Sequence, residues 1–141
     1  LKRKIAVIKA AQDLHGRSFS SVETILSAYG GREIAAIVGS VIAARVRGIP
    51  VLLDGFICTA AAATLTLFDD HFLDHCLISH LSMEPGHIRL AKKLQKEPII
   101  DLHLRLGEGS GAAVSFLIIK AALATHNGMS TFAEAGVSGK D

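Results

Sequence analysis

Residues 105–113 read Arg-Leu-Gly-Glu-Gly-Ser-Gly-Ala-Ala, with glycines alternating around Glu108 and Ser110. Alternating glycines let a backbone turn tightly and approach a ligand closely. An apolar run from Ala112 to Ala124 follows at helical spacing, so a helix opens directly after the glycines. Its first N–H groups and the positive end of its dipole make a seat for a phosphate. Glu108 does not suit a bare phosphate cradle, because its charge repels the anion. A carboxylate beside such a seat fits a different division of labour: the phosphate is a handle, and Glu108 does proton chemistry on a neighbouring group. The plain alternative is a glycine-rich turn with a solvated glutamate.

Other chemistry-bearing residues cluster upstream. His80, Ser82, Glu84 and His87 crowd one loop around Pro85-Gly86. Asp101, His103 and Arg105 alternate, so an extended segment would set them on one face, with Arg105 as an anion contact and His103 structural. His71 and His75 are spaced i,i+4, as zinc ligands on a helix are, but the segment between them lacks the glutamate of HExxH and names no third ligand. Glu134 reads as a solvated helix residue. Cys58 and Cys76 have neither CxxC spacing nor a secretory signal, and read as reduced, cytosolic core thiols.

The elements that must position these groups follow from periodicity. Helices are expected over 2–14, from a Ser20/Glu23 capping box to Gly30-Gly31, and over 32–47, the last apolar all round and therefore buried. Val51–Leu53 closed by Asp54-Gly55 reads as a buried parallel strand, and 77–79 as a second. Helices are expected between them over 58–68 and after them over 87–95, 111–125 and 130–135. Alternating helix and strand argues an α/β fold with helices on a short parallel sheet, Rossmann-like in three layers. Ligands in such sheets bind beyond the carboxyl ends of strands, which brings Asp54-Gly55, Ser79-His80 and the glycine stretch to one rim.

Composition narrows the class. The chain has 141 residues, half of them apolar, with a mean hydropathy of +0.41. That length suits one domain, without internal boundary, able to bury about two-thirds of its unfolded surface. No run reaches the roughly 18 apolar residues of a membrane span. A net charge of +2 gives no footprint for nucleic acid. The start at Leu1, without Met and inside a charged helical segment, has the pattern of an internal start; residues 137–141 read as a natural C-terminus.

Five ordered stretches carry a resemblance: Gly30–Ala36, Pro50–Phe56, Ser79–His87, Asp101–Ala113 and Met129–Ser138. Together they resemble the nicotinate-nucleotide–dimethylbenzimidazole phosphoribosyltransferase family of cobalamin biosynthesis, over nearly the whole chain. The resemblance implies transfer of ribose 5-phosphate from nicotinate mononucleotide to 5,6-dimethylbenzimidazole, giving α-ribazole 5′-phosphate and nicotinate. It places the catalytic base on Glu108. Candidate substrate-binding residues are Asp54, Ser79, His80, Ser82, Glu84, Arg105, Leu106, Gly107, Gly109, Ser110 and Gly111. It also implies no cofactor and no metal, a cytoplasmic enzyme, and a homodimer or association with an N-terminal portion. Glycine-rich and benzimidazole-binding stretches that the family carries upstream are not among these residues. The chain is therefore expected to be the C-terminal part of the enzyme's large domain, inactive alone. The competing expectation is a non-catalytic nucleotide-fold module that docks on a partner chain.

Overall fold

Positions 2–16 and 19–138 are described by a computed structural model. The expected chain ends, at Leu1 and across 139–141, lie outside the described residues.

The order is α1 (Lys2–His15), α2 (Val22–Tyr29), α3 (Arg32–Val46), β1 (Val51–Leu53), α4 (Phe56–Ala63), β2 (Cys76–Ile78), α5 (Pro85–Lys93) and α6 (Ser110–Gly128). A 3-10 turn, Thr64–Leu67, extends α4. The strands are parallel, Val51 opposite Cys76 and Leu53 opposite Ile78. A parallel bridge between His80 and Ile100 adds a further edge. The α/β class and the parallel pairing expected from the pattern are present, in a small, open sheet.

The core forms where α2, α3 and α4 meet that sheet. Val22, Val38, Val41, Leu53, Ala61, Ala62, Leu65, Leu73 and Cys76 make one buried cluster. Alanines at 61 and 62 let α4 approach closely, and β-branched valines fill the α3 side. Burial pushes the Cys76 thiol up to about 11, against the opposing pull of Lys96 and Arg45. Cys58 is also free; it is half-buried and packs against that cluster from its edge.

Several local expectations shift. The N-cap of α2 is Ser21, one residue later than the Ser20 box, and its side chain accepts the Thr24 N–H. Residues 69–75 form turns, not a helix, so His71 and His75 share no helical face. His71 instead lies 3.5 Å from Asp74, and His75 Nε2–H donates to the Val41 carbonyl. Among the described residues no three His, Cys, Asp or Glu side chains gather as metal ligands would. The expected last helix is a single turn, where Glu134 accepts from the Thr131 N–H at 2.8 Å and Thr131 Oγ1 accepts the Glu134 N–H. That reciprocal capping box closes the turn on itself.

Helix α3 is the larger departure. Only Val38 and Val41 are buried along it. In α6 only Gly111 and Ser115 are buried, leaving Phe116, Leu117, Ile118 and Leu123 exposed. The accessible surface is 10320 Å², against about 7,000 Å² expected for a self-contained domain of this mass. The apolar composition of α3 and α6 is thus matched to more contacts than these residues supply. No described helix is long and apolar enough to cross a membrane.

Candidate active site

Beyond the carboxyl end of β1 the chain runs through Asp54 and Gly55 into α4; beyond β2 it runs through Ser79 and His80 into the loop before α5. Between these ends and the 105–109 loop lies an open cavity of about 480 Å³. It is lined by Asp54, Gly55, Phe56, Ile57, Cys58, His80, Ser82, Glu84, Arg105, Leu106, Gly107, Glu108 and Gly109. Nine residues expected from the sequence at the site therefore meet at one rim, from chain positions more than fifty apart. Ser79, Ser110 and Gly111 do not line it. Ser79 is buried beneath, Gly111 packs behind His80, and the buried Ser110 hydroxyl has no hydrogen-bond partner among the described residues.

Phe56, Ile57 and Cys58 were not in the sequence-derived set. They open α4 directly after Asp54-Gly55, so their place on the rim is what a strand-to-helix turn dictates. Phe56 is held there by a close approach: its ring lies against Gly86, where a Cβ would come within 2.8 Å of Cζ.

The floor is a chain of polar contacts with assigned donors. The Ser79 hydroxyl donates to the Asp54 carbonyl at 2.6 Å, so its oxygen accepts from His80 Nδ1–H at 3.3 Å. Ser115 of α6 donates to the Ser79 carbonyl at 2.6 Å. His80 is 2% exposed, its ring wedged between Gly55 and Gly111. The carboxylate of Asp54 accepts the Gly109 N–H at 3.3 Å and the Ala112 N–H at 2.9 Å. Two N–H groups at the start of α6, expected to face a phosphate, are thus engaged by a side chain from just beyond β1. The helix has no cap of its own because Gly109, in its N-cap position, has no side chain.

A second network braces the loop before α5. Ser82 N–H donates to His87 Nδ1 at 3.0 Å, which leaves the proton on Nε2 to be donated to Thr59 Oγ1 at 3.1 Å. Thr59 then donates to the Gly55 carbonyl at 2.8 Å. His87 therefore ties α5 to α4 as a neutral ring. Burial, then the neighbouring His80, lowers its pKa below 6.5, against a smaller opposite pull from Glu84. Protons bind the unfolded ring more readily, so this contribution is complete above about pH 6.5 and is lost as pH falls towards the lowered folded value. A His87→Gln protein should show a shallower loss of melting temperature between pH 7.5 and 5 than its parent; equal slopes would remove His87 as the cause. The Ser82 hydroxyl, the backbone and Arg105 hold the Glu84 carboxyl below the usual carboxylate range.

Glu108 sits at the loop's tip with its side chain exposed. Gly107, Glu108 and Gly109 have φ of 82°, 57° and 77°, three successive left-handed residues. The flanking glycines take that conformation freely, while Glu108 is held in it at a cost of about 1 kcal/mol. Strained side-chain-bearing residues of this kind gather at functional sites. The described residues leave the Glu108 side chain open to solvent. His103, at φ 54°, breaks the extended run, so Asp101 and His103 pair with each other at 3.5 Å and only Arg105 reaches the cavity.

Comparison with known proteins assigns the chain to a family. The phosphoribosyltransferase family DBI_PRT matches residues 1–137. The chain belongs to that family. It is 52% identical over all its residues to a nicotinate-nucleotide–dimethylbenzimidazole phosphoribosyltransferase of Rhizobium leguminosarum, and 53% identical to that of Sinorhizobium fredii. It spans 42% of the length of each. A crystal structure of the Thermus thermophilus enzyme of that name aligns with a TM-score of 0.77 at 38% identity, covering 85% of this chain and 36% of that one.

Proposed function

We propose that this chain forms the C-terminal, base-bearing part of a transferase that moves ribose 5-phosphate from nicotinate mononucleotide to 5,6-dimethylbenzimidazole. The observation that carries the reading is the convergence at one rim of Glu108, held strained between two left-handed glycines, with Arg105, Glu84, Ser82 and His80 around a cavity of about 480 Å³. The relatives bearing that reaction's name are half identical to it over its full length.

In this reading Glu108 takes the N–H proton of the benzimidazole as the other ring nitrogen forms a bond to C1′ of the ribose. The bond from C1′ to nicotinate breaks, and its electron pair leaves with the nicotinate nitrogen. Arg105 faces the phosphate as an anion contact; His80 and Ser82 offer hydrogen bonds on the floor. The exposed faces of α3 and α6 take a second polypeptide, either the remainder of a longer enzyme or another copy, and without it the chain alone is inactive. Positioning of two substrates by a complete pocket supplies about 7–11 kcal/mol of such a barrier, and an open half-pocket forfeits much of it.

The test is a chimera: a full-length relative carrying these 141 residues in place of its own matching segment. It should convert nicotinate mononucleotide and dimethylbenzimidazole to α-ribazole 5′-phosphate and nicotinate, while the 141-residue chain alone should not. A folded but inactive chimera, beside an active parent, would leave the docking-module reading in its place.

A further inference from the structure

We propose that Asp54 is a positioning residue: it holds Glu108 in place by tethering the 107–109 loop to the carboxyl end of β1. The proposal rests on the reading of Glu108 as the base. The Gly109 N–H that Asp54 Oδ2 accepts belongs to the peptide unit formed with the Glu108 carbonyl, so the bond fixes the plane attached to the Glu108 Cα. The Ala112 N–H on Oδ1 fixes the first turn of α6 behind it. Together they hold a run of left-handed residues that Glu108, with its side chain, does not favour.

The anchor is itself held in place by its neighbours. The Asp54 carbonyl is bonded by Ser79, and its Oδ1 lies 3.8 Å from His80 Nδ1, on a ring confined by Gly55 and Gly111. The Asp54 side chain is only 15% exposed. Each carboxylate oxygen already holds a backbone N–H, so Asp54 borders the cavity with its acceptors turned to the protein. Its partners lie 55 and 58 residues away in the chain, which makes the contact a link between sheet and loop and not a local turn.

The test uses the full-length chimera. Asp54→Asn keeps the shape and one oxygen but sets an amide NH₂ against one of the two N–H groups. It should lower kcat about 10–10²-fold, the loss expected from a misplaced group, with KM within about threefold. In a Glu108→Gln background the same substitution should lower the remaining rate less than about threefold, because there is no base left to position. Losses that multiply in full, or a raised KM at unchanged kcat, would show that Asp54 meets substrate directly and overturn the proposal. If Asp54→Asn does not fold, amide exchange in the unsubstituted protein decides: Gly109 and Ala112 should exchange at least about tenfold slower than Gly107 and Glu108. Equal rates remove the tether whatever the activities. An unaffected Glu108→Gln enzyme overturns the base assignment and the positioning role with it, while exchange still judges the tether.

Discussion

Glu108→Gln, in a full-length enzyme containing this segment, is expected to lower kcat by about 10²–10⁴-fold, the usual range for loss of a general base. Glutamine keeps the length of glutamate and its hydrogen-bonding reach but cannot accept a proton at neutral pH. It meets the left-handed backbone at 57° no better and no worse than glutamate does, so the loop should hold its form. The Asp54 bonds to Gly109 and Ala112 are made by backbone N–H groups and are untouched. Binding of nicotinate mononucleotide should accordingly survive, and the loss should fall on kcat and not on KM. Turnover within about threefold of the parent would put the base elsewhere. Loss of nucleotide binding in calorimetry would make Glu108 a structural residue of the turn.

How much of this was legible in the sequence divides by the range of the interactions. The strand ending in Asp54-Gly55 and the apolar run after Gly111 were readable because periodicity and turn residues act locally. The rim was readable because parallel strands end on one side, so Asp54, His80 and the glycine loop had to converge. The partners of Asp54 were not readable: nothing near residue 54 announces a bond to residues 109 and 112, and a lone carboxylate at a strand end suggests a ligand first. The left-handed His103 was likewise hidden, because a non-glycine residue there is a consequence of the loop's closure. Helix α3 was misread in an instructive direction. Its run of apolar residues reads as burial all round, yet the described residues bury only Val38 and Val41 along it, because no described element packs on its other faces.

Gly111→Ala is expected to destabilise the fold by about 2–3 kcal/mol, towards the upper end for overpacking. A Cβ at this position would fall on the His80 ring, at Nδ1, Cε1 and Cγ. The ring has little room to retreat: Gly55 lies on its other side, close enough that an added Cβ would come within 3.2 Å of Cε1, and Ser79 holds Nδ1. Either His80 leaves its site or the start of α6 lifts from the sheet, taking the Ala112 bond to Asp54 and the Glu108 loop with it. Alanine's better helix propensity, about 1 kcal/mol over glycine, offsets only part of this. Gly128→Ala in the last turn of the same helix is the matched control, since nothing lies within 4 Å of a Cβ there. That substitution should be neutral or stabilising. The urea midpoint should therefore fall for Gly111→Ala and hold or rise for Gly128→Ala. A His80→Ala change added to Gly111→Ala should recover part of the loss, because it removes the atoms the new methyl meets; this coupling is what a double-mutant cycle reads. Equal midpoints for Gly111→Ala and its parent would mean that the His80 wedge is not where the structure places it, and the rigid floor beneath Asp54 would go with it.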